Sequence, residues 1–419
     1  MGTETATSST TNGAQSTDTR QMPVEIVDQI IASFNDTELD ETKYQEDVFP
    51  TLKACSLVCW TWNELCRPRI FSSLSVDLCR SSIDTAFLRL SFLHFTAPHL
   101  YKCITNFRFR WSRDIPDPPQ WIPDALTRFT NLRSLSLYSG VTSGFPPLSA
   151  PFALAITTLV AHTPLTKLHL AYWDFLYDVS DLCLVLSSCS STLVELTLEE
   201  CYISDRGMMV NPIEDGVLPV VHLGALRKLA LVNNGNVSLS QLRHIDAPNL
   251  RSLSCAFLKD PFQDISPWIP ATVTEFTLDV RDFSERPWFG KSIRPSWLTI
   301  IFRLSYHDEP QCFPVLSWIE DCLNQLPFPH VLHRLDIKVL NLLAFSYPFN
   351  YPRRAHYEVL HRALQRFHAL DRTNLNLHFL FYSVLPPPYD RRDLKAVFGP
   401  QLEANKLVVD MTFQKWSNE

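Results

Sequence analysis

Glycine is scarce in this chain, with 10 in 419 residues against a usual share of about 7%. Neither G-x-G-x-x-G nor G-x-x-x-x-G-K-[ST] occurs, so the phosphate-cradling loops of nucleotide enzymes have no material here. The nearest approach to a catalytic loop is Gly140-Val141-Thr142-Ser143-Gly144, with Thr142 where a hydrolase elbow carries its nucleophile. Such an elbow needs a helix directly after it, and Pro146 and Pro147 oppose one, so the segment reads as a connection. Basic charge is not in excess either: 37 Lys and Arg face 44 Asp and Glu, a net charge of -7. That excludes a global field for nucleic acid or an anionic membrane, and Arg353/Arg354, Arg362/Arg366 and Arg391/Arg392 read as solvated faces. Long apolar runs are missing, which leaves no candidate membrane span.

The 11 cysteines include no C-x-x-C pair, so a tetrahedral zinc site finds no framework. Cys55, Cys59 and Cys66 read as packing. The first twenty residues are polar, rich in Ser and Thr, and lack an apolar core for a signal peptide. We expect a disordered leader over 1–20, reduced cysteines, and a protein of the cytoplasm or nucleus. The sequons at Asn35 and Asn236 then have no role. His356, His361 and His368 are spaced five and seven apart, which does not stack imidazoles on one helix face. No catalytic, metal or cofactor constellation emerges, and the expectation is a non-enzyme without cofactor.

What the chain has in quantity is leucine in a fixed pattern. Leu132/Leu135/Leu137, Leu165/Leu168/Leu170, Leu193/Leu196/Leu198 and Leu226/Leu229/Leu231 all obey Leu-x-x-Leu-x-Leu. With other apolar residues admitted, Phe71/Leu74/Val76 and Ile104/Phe107/Phe109 extend the series upstream. Leu250/Leu253/Cys255, Val273/Phe276/Leu278 and Leu332/Leu335/Ile337 extend it downstream, and the wide last gap leaves room for one more unit in Trp297 to Leu304. Each triplet predicts a short strand whose last two apolar residues point inward, where neighbouring units cover them. Prolines are plentiful, 30 in all, and many are scattered among the connections between units, as at Pro116, Pro118/Pro119 and Pro386 to Pro388. Leu375/Leu377/Phe379 reads as the last strand.

Residues Leu193 to Ile203 carry the pattern furthest, with Leu193, Leu196, Leu198, Cys201 and Ile203 at L-x-x-L-x-L-x-x-C-x-I. There the chain resembles the leucine-rich-repeat family; Asn234 takes the Asn position of the next unit, while the preceding unit offers Asp174-Phe175. The resemblance implies a curved, irregular α/β solenoid over 71–410, strands on its concave side, with a C-terminal tail over 411–419.

Residues 21–70 follow another period. Pro23 can open a helix, and Val27, Ile30, Ile31 and Phe34 make one apolar stripe. An acidic stretch from Asp36 to Asp47 interrupts it. After Pro50, Leu52 and then Cys55, Val58, Cys59 and Trp62 predict a second helix, stopped by Pro68. Met22, Pro23, Glu25, Ile26 and Ile30, followed by Leu52, Ser56, Leu57, Val58, Cys59 and Trp62, resemble the F-box, most specifically in LKACSLVCWTWNELCRPRIF. Met22 replaces the usual leucine, and the acidic stretch lengthens the link between helices. The resemblance implies docking of Met22, Pro23, Ile26, Ile30, Leu52, Leu57, Val58, Cys59 and Trp62 on a Skp-type adaptor. Through it the chain would join a cullin in an SCF-type ubiquitin ligase. Capping the open end of the repeats is the plain structural alternative.

The residues alternating with the inward leucines are the candidate target-binding face: Lys167, His169, Glu195, Thr197, Glu199, Lys228, Glu275, Thr277, Asp279, Arg334, Asp336 and Lys338, with Tyr172 and Trp173 as aromatic anchors at a strand end. The expected function is a non-catalytic substrate receptor of a ubiquitin ligase, holding an unidentified target protein, with no nucleic-acid or membrane partner. The alternative is a leucine-rich-repeat scaffold that joins no ligase.

Overall fold

A computed structural model describes residues 23–33, 49–78, 83–111, 121–139, 150–172, 179–201, 220–232, 245–257, 269–280, 294–303, 312–326, 330–343, 354–367, 375–383, 396–398 and 407–415. The expected leader, Met22, the acidic stretch, both sequons, the Gly140–Gly144 segment, Trp173 and the proline runs lie outside these residues. The chain divides into two compact units, Met1–Ser72 and Ser73–Glu419.

The larger unit is mixed α/β and is built on a parallel sheet. Twelve strands follow one another in chain order, except that β6 (Val221–His222) and β8 (Ile245–Asp246) pair separately. The twelve are β1 (Ser73–Leu78), β2 (Asn106–Trp111), β3 (Ser134–Ser139), β4 (Lys167–Ala171), β5 (Glu195–Glu199), β7 (Lys228–Val232), β9 (Ser252–Phe257), β10 (Glu275–Val280), β11 (Trp297–Arg303), β12 (Arg334–Leu343), β13 (Leu375–Ser383) and β14 (Leu407–Lys415). A strand thus occupies the degenerate run at Trp297.

The register is uninterrupted across the leucine triplets. Leu135, Leu168, Leu196, Leu229, Leu253, Phe276, Leu298 and Leu335 form one inward row, all buried. The leucine three positions earlier is buried as well, at Leu132, Leu165, Leu193, Leu226, Leu250 and Leu332. A second device fixes the register at the strand starts, where one carbonyl accepts two successive amides from the next unit. Thr166 and Lys167 donate to the Arg133 carbonyl at 2.8 and 2.9 Å, Val194 and Glu195 to that of Thr166, and Arg227 and Lys228 to that of Val194. The same rung recurs through Arg227, Arg251, Thr274 and Ser296. Because parallel strands need a crossover, helices fill many of the intervals, including α6 (Ala150–His162), α7 (Val179–Ser188) and α8 (Cys312–Gln325). Each turns a helical stripe onto the sheet: Ala155, Ile156, Leu159 and Val160; Leu182, Cys183 and Leu186; Trp318, Ile319, Cys322 and Leu323.

The sheet departs from expectation at its far end. Residues 411–415, assigned to a tail, belong to β14, which pairs with β13 over its whole length. Leu407, Val409, Met411 and Phe413 alternate with Val408, Asp410 and Thr412, a period of two on an edge strand without the leucine triplet that marked the others. β13 is therefore not the last strand.

Among the described residues the smaller unit has the helices α1 (Val24–Ser33), α2 (Phe49–Ser56) and α3 (Trp60–Ile70). Two sequence expectations fail here. The second apolar stripe is not one helix, because the chain breaks at Leu57, Val58 and Cys59. Ser56 Oγ–H donates to the Lys53 carbonyl at 2.7 Å, a local bond that competes with helix continuation. Pro68 also does not end α3 but lies inside it. So close to the C-terminus its missing amide removes one intrahelical bond, and the chain continues with the Phe71 amide donating to Arg67 at 3.0 Å.

Candidate functional site

Two surfaces carry the residues singled out by sequence. On the helical unit, α1 starts where the amides of Ile26 and Val27 donate to the Pro23 carbonyl at 3.0 and 3.2 Å, with Glu25 in the favourable first turn. Val27 and Ile31, one turn apart, enter a small core with Leu52 and Cys66, and Cys55, Trp62, Leu65 and Ile70 pack against it. Arg69 joins α3 to α1 through Asp28 at 3.1 Å. Burial, then Cys55, push the Cys66 thiol up.

The corner between α2 and α3 is the reverse of a core. Amides of Leu57 and Val58 close tight turns onto the Ala54 and Cys55 carbonyls at 3.1 Å. Cys59 is extended at φ -162° and ψ 175°, and its carbonyl starts α3. This thrusts the Leu57 and Val58 side chains outward, 86% and 65% exposed, with Trp60 at 75%. Val24, Ile26 and Ile30 are exposed on α1 too. Of the adaptor-docking residues named from sequence, Ile26, Ile30, Leu57, Val58 and Cys59 are therefore open along with Pro23, whereas Leu52 is fully buried and Trp62 half-buried. Leu52 belongs to the small core with Val27, Ile31 and Cys66, and Trp62 packs against that core. Trp60 was missed; it lies outside the i, i+3, i+4 stripe that drew attention to its neighbours.

On the larger unit, the outward side of the sheet gathers the expected residues in rows set by register. Lys167, Glu195 and Lys228 stand side by side on β4, β5 and β7. Glu195 bridges both amines, at 2.9 Å to Lys167 and 3.3 Å to Lys228. Burial pushes its carboxyl up, but the two lysines outweigh that and hold it below the usual range. The adjacent row runs Arg108, Ser136, His169, Thr197, Ala230, Ser254, Thr277, Thr299, Asp336.

His169 uses both ring nitrogens: Tyr138 Oη lies 3.0 Å from Nδ1, and Glu199 Oε2 lies 2.9 Å from Nε2. Arg108 covers the Tyr138 ring at 4.6 Å. Burial lowers the His169 pKa despite the opposing pull of Glu199, and Arg108 adds to the lowering. Tyr172 follows β4 in a left-handed conformation, φ 61°, with its amide donating to the Glu199 carbonyl at 2.7 Å. It is half-buried, so it is only partly available as an anchor.

Asp279 is a correction, being buried rather than presented to a partner. Its register places it beside Ala256 and Ile301, whose apolar side chains border it. Asp336 is likewise buried and is a hub: Trp297 Nε1 donates to it at 2.7 Å, Arg334 Nε at 3.1 Å, and Asn376 Nδ2 donates as well. Arg334 also stacks over the Trp297 ring at 4.0 Å. Trp297 and Asn376 were not singled out from sequence, although alternation from Leu298 and Leu335 aligns Trp297 with Arg334. Glu275, Thr277 and Lys338 remain accessible or partly so.

Among the described residues no group of three or more His, Cys, Asp or Glu is gathered as for a metal ion, and no helix is long and apolar enough to cross a membrane. No family model matches the chain, and no curated protein matches it. Among solved structures, a Bacteroides fragilis protein from a structural genomics consortium aligns over 82% of this chain and 76% of its own, at 10% identity and a TM-score of 0.40. A likeness that distant carries no argument about function.

Proposed function

We propose that the chain is the substrate-recognition subunit of an SCF-type ubiquitin ligase. Its helical unit acts as an F-box on a Skp-type adaptor, and the larger unit, an irregular leucine-rich-repeat solenoid, presents its outward strand face to a target protein. The observation that carries the reading is the α2–α3 corner, where Leu57 and Val58 are displayed while Val27, Ile31, Leu52 and Cys66 are buried. Exposed large apolar side chains on so small a unit favour a protein partner. The repeat reading is supported by strict chain-order pairing and by Cys201, buried with its Sγ–H directed at the Leu170 carbonyl at 3.3 Å.

In this role the chain performs no bond chemistry. It raises the effective concentration of a target near a ubiquitin-loaded enzyme and orients it. The test is co-purification of a Skp adaptor with the intact chain and with a version lacking residues 21–70. Capture by the intact chain alone is expected; capture by neither, which would favour a scaffold outside any ligase, contradicts the proposal.

A further inference from the structure

The rung that fixes the strand starts leaves a row of side chains along one edge of the sheet, and three of its residues are arginines: Arg133, Arg227 and Arg251. All three are exposed, and among the described residues none has a side-chain hydrogen bond or ion pair. Arg227 and Arg251 are successive members of the row, the Arg251 amide donating to the Arg227 carbonyl at 2.9 Å. Their main chains are thus about 4.8 Å apart, an arrangement of like charge that weakens a sheet. Lys167 and Lys228 add two cations to the same edge, and both must share the single carboxylate of Glu195. Cations gather here although the chain carries more acidic than basic residues.

We infer that this edge, from Arg133 to Arg251, is the docking strip for an acidic segment of the target protein. The inference rests on the receptor reading and gives the partner's chemistry. Four strand intervals separate the two ends, about 19 Å at the usual spacing, the reach of roughly six extended residues. Charge complementarity selects the occupant: three arginines without carboxylate partners and two lysines with spare donors fit closely spaced Asp or Glu side chains. A single-stranded nucleic acid fits less well, because the strip residues Arg133, Thr166, Lys167, Val194, Arg227, Lys228 and Arg251 include no aromatic ring on which bases could stack.

The full-length chain is titrated with a fluorescent oligoglutamate peptide, with oligoglutamine and a single-stranded oligonucleotide as competitors. Wild type is expected to bind oligoglutamate in a salt-sensitive manner and to release it to neither competitor. Arg227→Glu with Arg251→Glu should weaken binding about tenfold, and the gentler Arg227→Gln with Arg251→Gln should weaken it less, in the same direction. Arg354→Glu, at a distant helix start, should bind as wild type does. Equal binding by the arginine variants, displacement by oligoglutamine, or tighter binding of the oligonucleotide overturns the inference. Adaptor capture is measured on the same preparations. If it fails while oligoglutamate still discriminates the variants, the ligase reading falls and the acidic-segment strip stands.

Discussion

Leu196 is where the inward row can be tested most sharply. Its side chain is 1% exposed, and its register neighbours are Leu168 and Leu229. Leu196→Ala removes three carbons from a row whose main-chain spacing is fixed by hydrogen bonds at each strand start, so the adjacent leucines cannot close the gap. Core Leu→Ala replacements cost about 2–5 kcal/mol, and the rigid spacing places this one near 3 kcal/mol. In urea, with a slope of about 3 kcal/mol per molar for a chain of this size, the unfolding midpoint should fall by about 1 M. Thr197→Ala, one residue on and directed to the other face, should cost under about 1 kcal/mol. Because β5 pairs with β4 and β7, the loss in Leu196→Ala should include earlier proteolysis between β4 and β7. A midpoint shift no larger than that of Thr197→Ala would refute the inward row.

Three further outcomes follow from individual contacts. Asp336→Ala strips acceptors from Trp297 Nε1 and Asn376 Nδ2, both on half-buried residues; with water replacing part of the loss, it should cost about 1–2 kcal/mol and shift tryptophan emission, and a change below about 0.5 kcal/mol would contradict the hub. His169 has its pKa lowered in the folded chain, so below about pH 6.5 the unfolded chain binds a proton that the native one resists. Stability should therefore decline as pH falls from 7 toward 5, more in wild type than in His169→Gln; parallel pH profiles would exclude this. Cys59 is exposed, whereas Cys189 and Cys255 are buried with thiols pushed up, the former to about 12. Of the described cysteines, iodoacetamide should modify Cys59 first, and a bound adaptor should protect it; protection absent at saturating adaptor would remove Cys59 from the interface.

The strand ladder was legible because leucines three and two apart can share one inward side only in that local geometry, and neighbours in register repeat it. β14 was not, since Leu407, Val409, Met411 and Phe413 follow plain alternation and no leucine triplet announces them. In the helical unit, periodicity located apolar residues but misassigned their exposure. Cys55, Val58, Cys59 and Trp62 form a stripe only on a continuous helix, and the break after Ser56 turns Val58 and Cys59 outward while Trp62 leans inward. On the sheet face, alternation placed Lys167, His169, Glu195 and Lys228 correctly in adjacent rows, yet it could not show that Asp279 and Asp336 are buried. That depends on the neighbours Ile301, Trp297 and Asn376, which belong to other strands.

The receptor account depends most on the corner formed by Leu57 and Val58. The direct measurement is the affinity of a purified Skp adaptor for the full-length chain, compared with Leu57→Asp and Val58→Asp variants whose unfolding midpoints match the wild type. Burial of one such side chain is worth about 1.5–3 kcal/mol, so each variant should bind at least tenfold more weakly. Unchanged affinity in both variants, or no measurable binding by the wild type, would contradict the account.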